Sequence, residues 1–185
     1  MDISQYREHA FKVTDDNKLI DAYFTVFRQN KDNPGACHLS SSILYIILKE
    51  LGYEATLCLG EVEIGSLRFD HSWVELDGKI YDSAISLGLE NRKVSAPVFG
   101  DYFLDNLAKI ENIIYGTQNH TLPDEPTKLI LKKGFSHYMS AAPLRHGVWF
   151  LVKRACSDLR LRVSIEDLKE KYKNDQWIVK TPYKI

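Results

Sequence analysis

Cys37 is the residue best placed for covalent chemistry. It follows Asn33-Pro34-Gly35-Ala36 and opens an apolar run with helical spacing. The free N–H groups and the dipole at a helix start favour an anion, so a thiolate is stabilised there relative to a thiol. The thiolate is the nucleophile of cysteine catalysis, and the same N–H groups can hold the oxyanion of a tetrahedral intermediate. Cys58 lies mid-strand in an apolar run, and Cys156 sits among Arg154, Ala155 and Ser157 with no comparable placement. A cysteine taken alone is usually a small buried hydrophobe, so Cys37 needs a base and an orienting partner before it means anything.

The stretch from His71 to Asp82 supplies both. Asp77-Gly78 is a two-residue hairpin signal. With that turn Leu76 pairs with Lys79, Glu75 with Ile80, Val74 with Tyr81 and Trp73 with Asp82. Opposed residues share a face, as do residues two apart on a strand. His71, Trp73, Ile80, Asp82 and Ala84 therefore fall on one side. His71 and Asp82 become diagonal neighbours, with α-carbons about 7–8 Å apart, within reach of a carboxylate–imidazole hydrogen bond. A slip of one residue would put them on opposite faces. The candidate triad is Cys37, His71 and Asp82.

Other residues compete or assist. His38 adjoins Cys37, but consecutive helical positions point in different directions, which makes it a poor base for that thiol. His9, His120, His137 and His146 have no acid at a readable hairpin position. A metal site from Cys37, His38 and His71 lacks the usual ligand spacing, and the chain has no Cys-x-x-Cys, so no metal or cofactor is expected. The Cys37 N–H needs a second oxyanion donor, for which Gln29 and Asn33 are upstream candidates. Trp73 shares the face of His71 and is a candidate cover for the site. Glu75 reads as a solvated or hydrogen-bonded strand residue.

The elements that must position these groups follow from periodicity. Asn17 to Gln29 is spaced for an amphipathic helix, and Asn33-Pro34-Gly35 breaks it. A second helix runs from Cys37 to about Leu51, with Gly52 as its stop. Ala55 to Val62, Arg68 to Leu76 and Lys79 to Ser83 read as three strands. Further on, helices are expected over about Asp101 to Tyr115, Leu144 to Ala155 and Ile165 to Tyr172, the last capped by Ser164 with Asp167. The fold class is α+β: helices, an antiparallel sheet, then a mixed half. One domain over residues 1–185 is expected, with a motif-bearing core at about 17–85 and an unassigned half at 86–185.

Composition bounds the function. The 185 residues carry 24 Lys and Arg against 25 Asp and Glu, a net charge of −1, with 44% apolar residues. No overall field argues for nucleic acid or an anionic membrane, and Lys132, Lys133, Arg145, Lys153 and Arg154 read as a solvated face. The start lacks the apolar stretch of a secretory signal, and Ile43 to Leu48 is too short to span a bilayer. Three cysteines without a framework spacing point to a reducing, cytoplasmic setting.

The motifs resemble the transglutaminase-like superfamily of cysteine enzymes, whose core is papain-like. The residues that carry this are Gly35-Ala36-Cys37, the apolar helix to Gly52, Leu57-Cys58-Leu59-Gly60, His71-Ser72-Trp73-Val74-Glu75, Gly78 and Tyr81-Asp82. They cover about residues 35 to 85. Asp70 to Glu75 is also similar to a stretch of the lasso-peptide maturation peptidases, a branch of that superfamily. Arylamine N-acetyltransferases share the order of the triad, but their Arg-Gly-Gly-x-Cys pattern is absent here. The resemblance implies a helix-borne cysteine packed on an antiparallel sheet, with Cys37 as nucleophile, His71 as base and acid, and Asp82 orienting His71. It implies acyl transfer through a thioester from a peptide, protein or small amide substrate, with hydrolysis favoured over cross-linking. The alternative is a non-catalytic module that keeps the fold and binds a peptide in its cleft.

Overall fold

The structure is a computed structural model that describes residues 2–88, 95–118, 122–141 and 146–184. Three helices come first: α1 (Ile3–Val13), α2 (Asn17–Asn30) and α3 (Cys37–Glu50). The strands β1 (Thr56–Ile64), β2 (Leu67–Leu76), β3 (Lys79–Asp82), β4 (Val98–Phe99), β5 (Tyr102–Phe103) and β6 (Ile113–Tyr115) follow. The helices α4 (Glu125–Lys133), α5 (Phe135–Ser140), α6 (Val148–Asp158) and α7 (Ile165–Lys171) precede the last strand, β7 (Ile178–Val179). The architecture is mixed helix and antiparallel sheet.

One sheet runs in the order β5-β4-β3-β2-β1-β6, and β7 joins β1 as its parallel neighbour. One face of the sheet carries Leu57, Leu59, Val74, Leu76, Tyr81 and Phe99, which pack in one core with the helices. α3 sits deep in that core, with every residue from Ser40 to Leu48 buried. A helix that is apolar nearly all round is what such a position demands. The opposite face carries Cys58, Val62, Trp73 and Val98 in a smaller second cluster with Ile85 and Ile113.

Local signals account for most element ends. The Asp16 carboxylate accepts from the N–H groups of Lys18 and Leu19 and caps α2, and Ser164 caps α7 through the Asp167 N–H. Asp77 and Gly78 both have positive φ (52° and 72°), the primed turn whose twist suits a tight hairpin. The pairing is the one that turn requires: Leu76 with Lys79, Glu75 with Ile80 and Val74 with Tyr81.

The second half departs from the periodicity reading. No helix forms over Asp101 to Tyr115, which instead holds β5 and β6. Gly100 and Asp101 turn the chain with positive φ, and the Asp101 carboxylate accepts the Ile80 N–H at 2.8 Å. Phe103, Ile110 and Tyr115 then pack against the cluster on the second sheet face. Covering that face outweighs the helical spacing of the segment. α6 begins at Val148 and ends at Asp158, so the expected helix is shifted toward the C-terminus; Leu144 and Arg145 lie outside the described residues. α1 has no counterpart in the periodicity reading.

Candidate active site

One backbone link and one side-chain link bring the start of α3 to the sheet. Gly35 adopts φ +71°, a left-handed turn that costs glycine nothing, and its N–H donates to the Leu87 carbonyl at 2.9 Å. That bond ties the entry to α3 to the turn that follows β3. The N-terminus of α3 has no side-chain cap, since Ala36 occupies the capping position. Behind the cysteine, the His38 ring meets the Ser72 hydroxyl through Nδ1 at 2.6 Å, a second link from α3 to β2.

His71 and Asp82 are 3% and 2% exposed, on the sheet face that also carries Trp73. His71 Nε2 lies 2.7 Å from Asp82 Oδ2. The same oxygen accepts the Tyr115 hydroxyl at 2.9 Å, while Oδ1 accepts the backbone N–H groups of Ala84 and Ile85, each at 2.9 Å. The Tyr23 hydroxyl donates to the Asp82 carbonyl. Four hydrogen bonds thus fix one buried carboxylate. With Nε2 engaged, Nδ1 is the ring nitrogen left to face Cys37.

The electrostatics of the ring are decided by competition. Burial alone would push the His71 pKa down; the Asp82 charge, then the charge of a Cys37 thiolate and hydrogen bonds to both groups, outweigh it and hold the pKa well above the ordinary 6.5. His38 shows the opposite outcome. Burial and the neighbouring His71 charge lower it to about 4, so it is neutral near pH 7. The other two thiols are buried, and burial pushes Cys156 up to about 12 and Cys58 higher still. The Tyr115 hydroxyl is held well above its ordinary range by burial and by the Asp82 charge.

Cys37, Gly35 and His71 line a cavity of about 410 Å³. The structure does not bring Asn33 or Trp73 to it. Asn33 is exposed, and its backbone N–H donates to the Asn30 carbonyl. Trp73 is 1% exposed, packs on the Tyr115 ring at 5.0 Å and donates its indole N–H to Glu75. It is therefore a buttress for Tyr115 rather than a cover for the thiol. Gln29 does not line the cavity either, but both polar atoms of its side chain are buried without a partner among the described residues. Glu75 pairs with Lys180.

Among the other histidines, His9 Nδ1 contacts the Leu104 carbonyl, and His120 lies outside the described residues. Among the described residues, no group of three or more His, Cys, Asp or Glu is placed to hold a metal ion. No described helix is long and apolar enough to cross a membrane.

Sequence reasoning missed Tyr115, which fell in the segment read as a helix, and Phe69, whose ring edge meets the His71 ring at 5.6 Å. Phe69 was within reach of the strand alternation that placed His71 and Trp73. No protein-family model matches the chain, and neither a curated protein nor a solved structure matches it.

Proposed function

We infer that the protein is a cysteine-dependent acyl-transfer enzyme of the transglutaminase-like type, which hydrolyses an amide or peptide bond through a thioester. One observation carries this reading. A fully buried histidine is clamped by a carboxylate through Nε2, and an uncapped helix start presents a cysteine to the same ring. A binding cleft has no use for that set, because each member would be costly to bury without its neighbours.

The mechanism follows from which atom holds the proton. The raised His71 pKa favours an imidazolium beside a thiolate, with the charge matched by Asp82. The Cys37 sulfur attacks the substrate carbonyl carbon, and the carbonyl π electrons move onto oxygen. The Cys37 N–H faces that oxyanion, and the Gln29 amide, buried outside the cavity without a partner among the described residues, is the second donor once its side chain turns toward it. As the intermediate collapses, the C–N bond breaks and the His71 Nδ1 proton passes to the departing amine. Water then loses a proton to His71 and attacks the thioester. The acid leaves, and the thiolate–imidazolium pair is restored. Asp82 and Tyr115 touch neither substrate nor sulfur; they hold the ring in the tautomer and plane this sequence of steps needs.

The test is a screen of peptidyl electrophiles and p-nitroanilide or thioester substrates against the intact protein and Cys37→Ala. Covalent capture at Cys37 with turnover that Cys37→Ala abolishes is expected. Turnover that survives Cys37→Ala would sink the reading, as would a Cys37 that no electrophile reaches in the folded protein. In the second case a peptide-binding module would take its place.

A further inference from the structure

The cavity beside Cys37 has walls that the catalytic steps do not use. Leu67 and Phe69 precede His71 at two-residue spacing on β2, so all three stand on one face. Leu67 is 51% exposed, and Phe69, partly buried, sets its ring edge on the His71 ring at 5.6 Å. Across the cavity stand Ile85 and Leu87 from the turn after β3, with Pro126 from the first turn of α4. An apolar strip thus leads from solvent to the ring that moves the proton. Its length of exposed hydrocarbon is unfavourable in water and is relieved by an apolar chain laid along it.

The charged groups at the cavity say what the chain should not be. Asp70 and Asp124 both line it. Neither makes an ion pair with a lysine or arginine among the described residues. Asp70 is held by the Tyr183 hydroxyl and the Asp124 N–H, and burial with the Asp124 and Glu61 charges keeps its pKa raised. Arg68, which also lines the cavity, is paired to Glu63 at 2.6 Å. A third carboxylate brought into this space would meet two like charges.

We propose that this cavity binds the acyl side of the substrate as an apolar side chain, branched aliphatic or aromatic, and excludes acidic ones. The volume of about 410 Å³ holds one such side chain with its flanking backbone. This proposal rests on the reading of Cys37 as nucleophile.

The experiment uses the full-length protein and four benzyloxycarbonyl-capped acyloxymethyl ketones that carry Leu, Phe, Lys or Asp. Rates of covalent capture at Cys37 are followed by intact mass, with iodoacetamide as a probe too small to sense the walls. The Leu and Phe probes should react at least about tenfold faster than the Asp probe, as burial of one apolar side chain implies. Leu67→Asp should slow the Leu and Phe probes at least about fivefold and leave the iodoacetamide rate unchanged, because Leu67 is exposed and outside the triad. Asp124→Asn, in which asparagine still caps α4, should speed the Asp probe several-fold and leave the Leu probe alone. An Asp or Lys probe as fast as the Leu probe overturns the proposal, as does a Leu67→Asp protein with unchanged rates. In those outcomes iodoacetamide capture at Cys37 still stands. If iodoacetamide also spares Cys37 in the folded protein, the nucleophile reading itself falls and takes this one with it.

Discussion

Asp82→Asn tests whether His71 and Asp82 are a charged pair or a neutral hydrogen bond. The substitution keeps the size of the side chain and the oxygen that accepts the Ala84 and Ile85 N–H groups. It places an amide NH₂ where Oδ2 receives His71 Nε2 and the Tyr115 hydroxyl. The charge that outweighs burial is gone, so the ring's pKa should drop below 6.5 instead of standing above it. The comparison is cleanest in a Cys37→Ala background, which removes the other group that raises the ring's pKa. A group whose folded pKa is raised contributes stability that is fully present below its unfolded value, and this is lost as pH rises through the folded value. With Asp82 present, the ring's contribution should therefore be complete near pH 6.5 and decline above it by about 1.4 kcal/mol per pH unit. In Asp82→Asn that decline should be absent. The stability difference between the two should be about 3 kcal/mol near pH 6.5, in the range for breaking a buried pair, and should shrink steadily toward pH 9. Urea unfolding at half-unit steps from pH 6 to 9 measures it. A difference that is flat across that range, or grows with pH, would mean the ring is neutral in the folded protein, and the thiolate–imidazolium mechanism would lose its basis.

The remaining predictions use the same groups. Iodoacetamide at neutral pH should label Cys37 at least about tenfold before Cys58 and Cys156, whose thiols burial keeps protonated; peptide mapping reads this, and the preference should vanish on denaturation. Tyr115→Phe keeps the ring packed on Trp73 but removes one donor to Asp82 Oδ2. It should cost about 2 kcal/mol of stability, shift the pH profile of Cys37 alkylation and slow capture, whereas an unshifted profile would make the hydroxyl purely structural. Gln29→Met removes a buried amide that has no partner among the described residues, so stability should hold or rise by about 1 kcal/mol. Its acyl-transfer rate should fall about a hundredfold. Iodoacetamide alkylation, which builds no oxyanion, should be unchanged; equal losses in both assays would remove Gln29 from the oxyanion role.

What could be read from the sequence follows from how local each determinant is. The relation of His71 to Asp82 depends on a turn of two residues and the alternation of two adjacent strands, all inside twelve consecutive positions. Nothing distant can alter that parity without breaking the hairpin. The start of α3 was legible for the same reason, since Asn33-Pro34-Gly35 stops one helix and the next apolar run begins at Cys37. Tyr115 was not legible. Its place depends on β6 pairing with β1, Val62 opposite Tyr115, across more than fifty residues. The segment before it carries apolar residues at helical spacing, and only the second sheet face, which has to be covered by something, decides between the two forms.

The meeting of Cys37 with His71 belongs to neither class. Helix and hairpin are each readable, but their relative placement is not, because it depends on contacts between them. The structure supplies two: the Gly35 N–H on the Leu87 carbonyl, and His38 on the Ser72 hydroxyl. His38 thus acquires a role that its adjacency to Cys37 concealed. Consecutive residues of a helix diverge, so one can face the His71 ring while the next reaches the strand beside it. Ser72 and His71 diverge in the same way on β2, to opposite faces of the sheet. Two neighbouring pairs, Cys37 with His71 and His38 with Ser72, therefore fasten helix to strand from both sides of the strand. The neutral His38 can do this without adding a second positive charge next to His71, and its lowered pKa is the electrostatic trace of that arrangement.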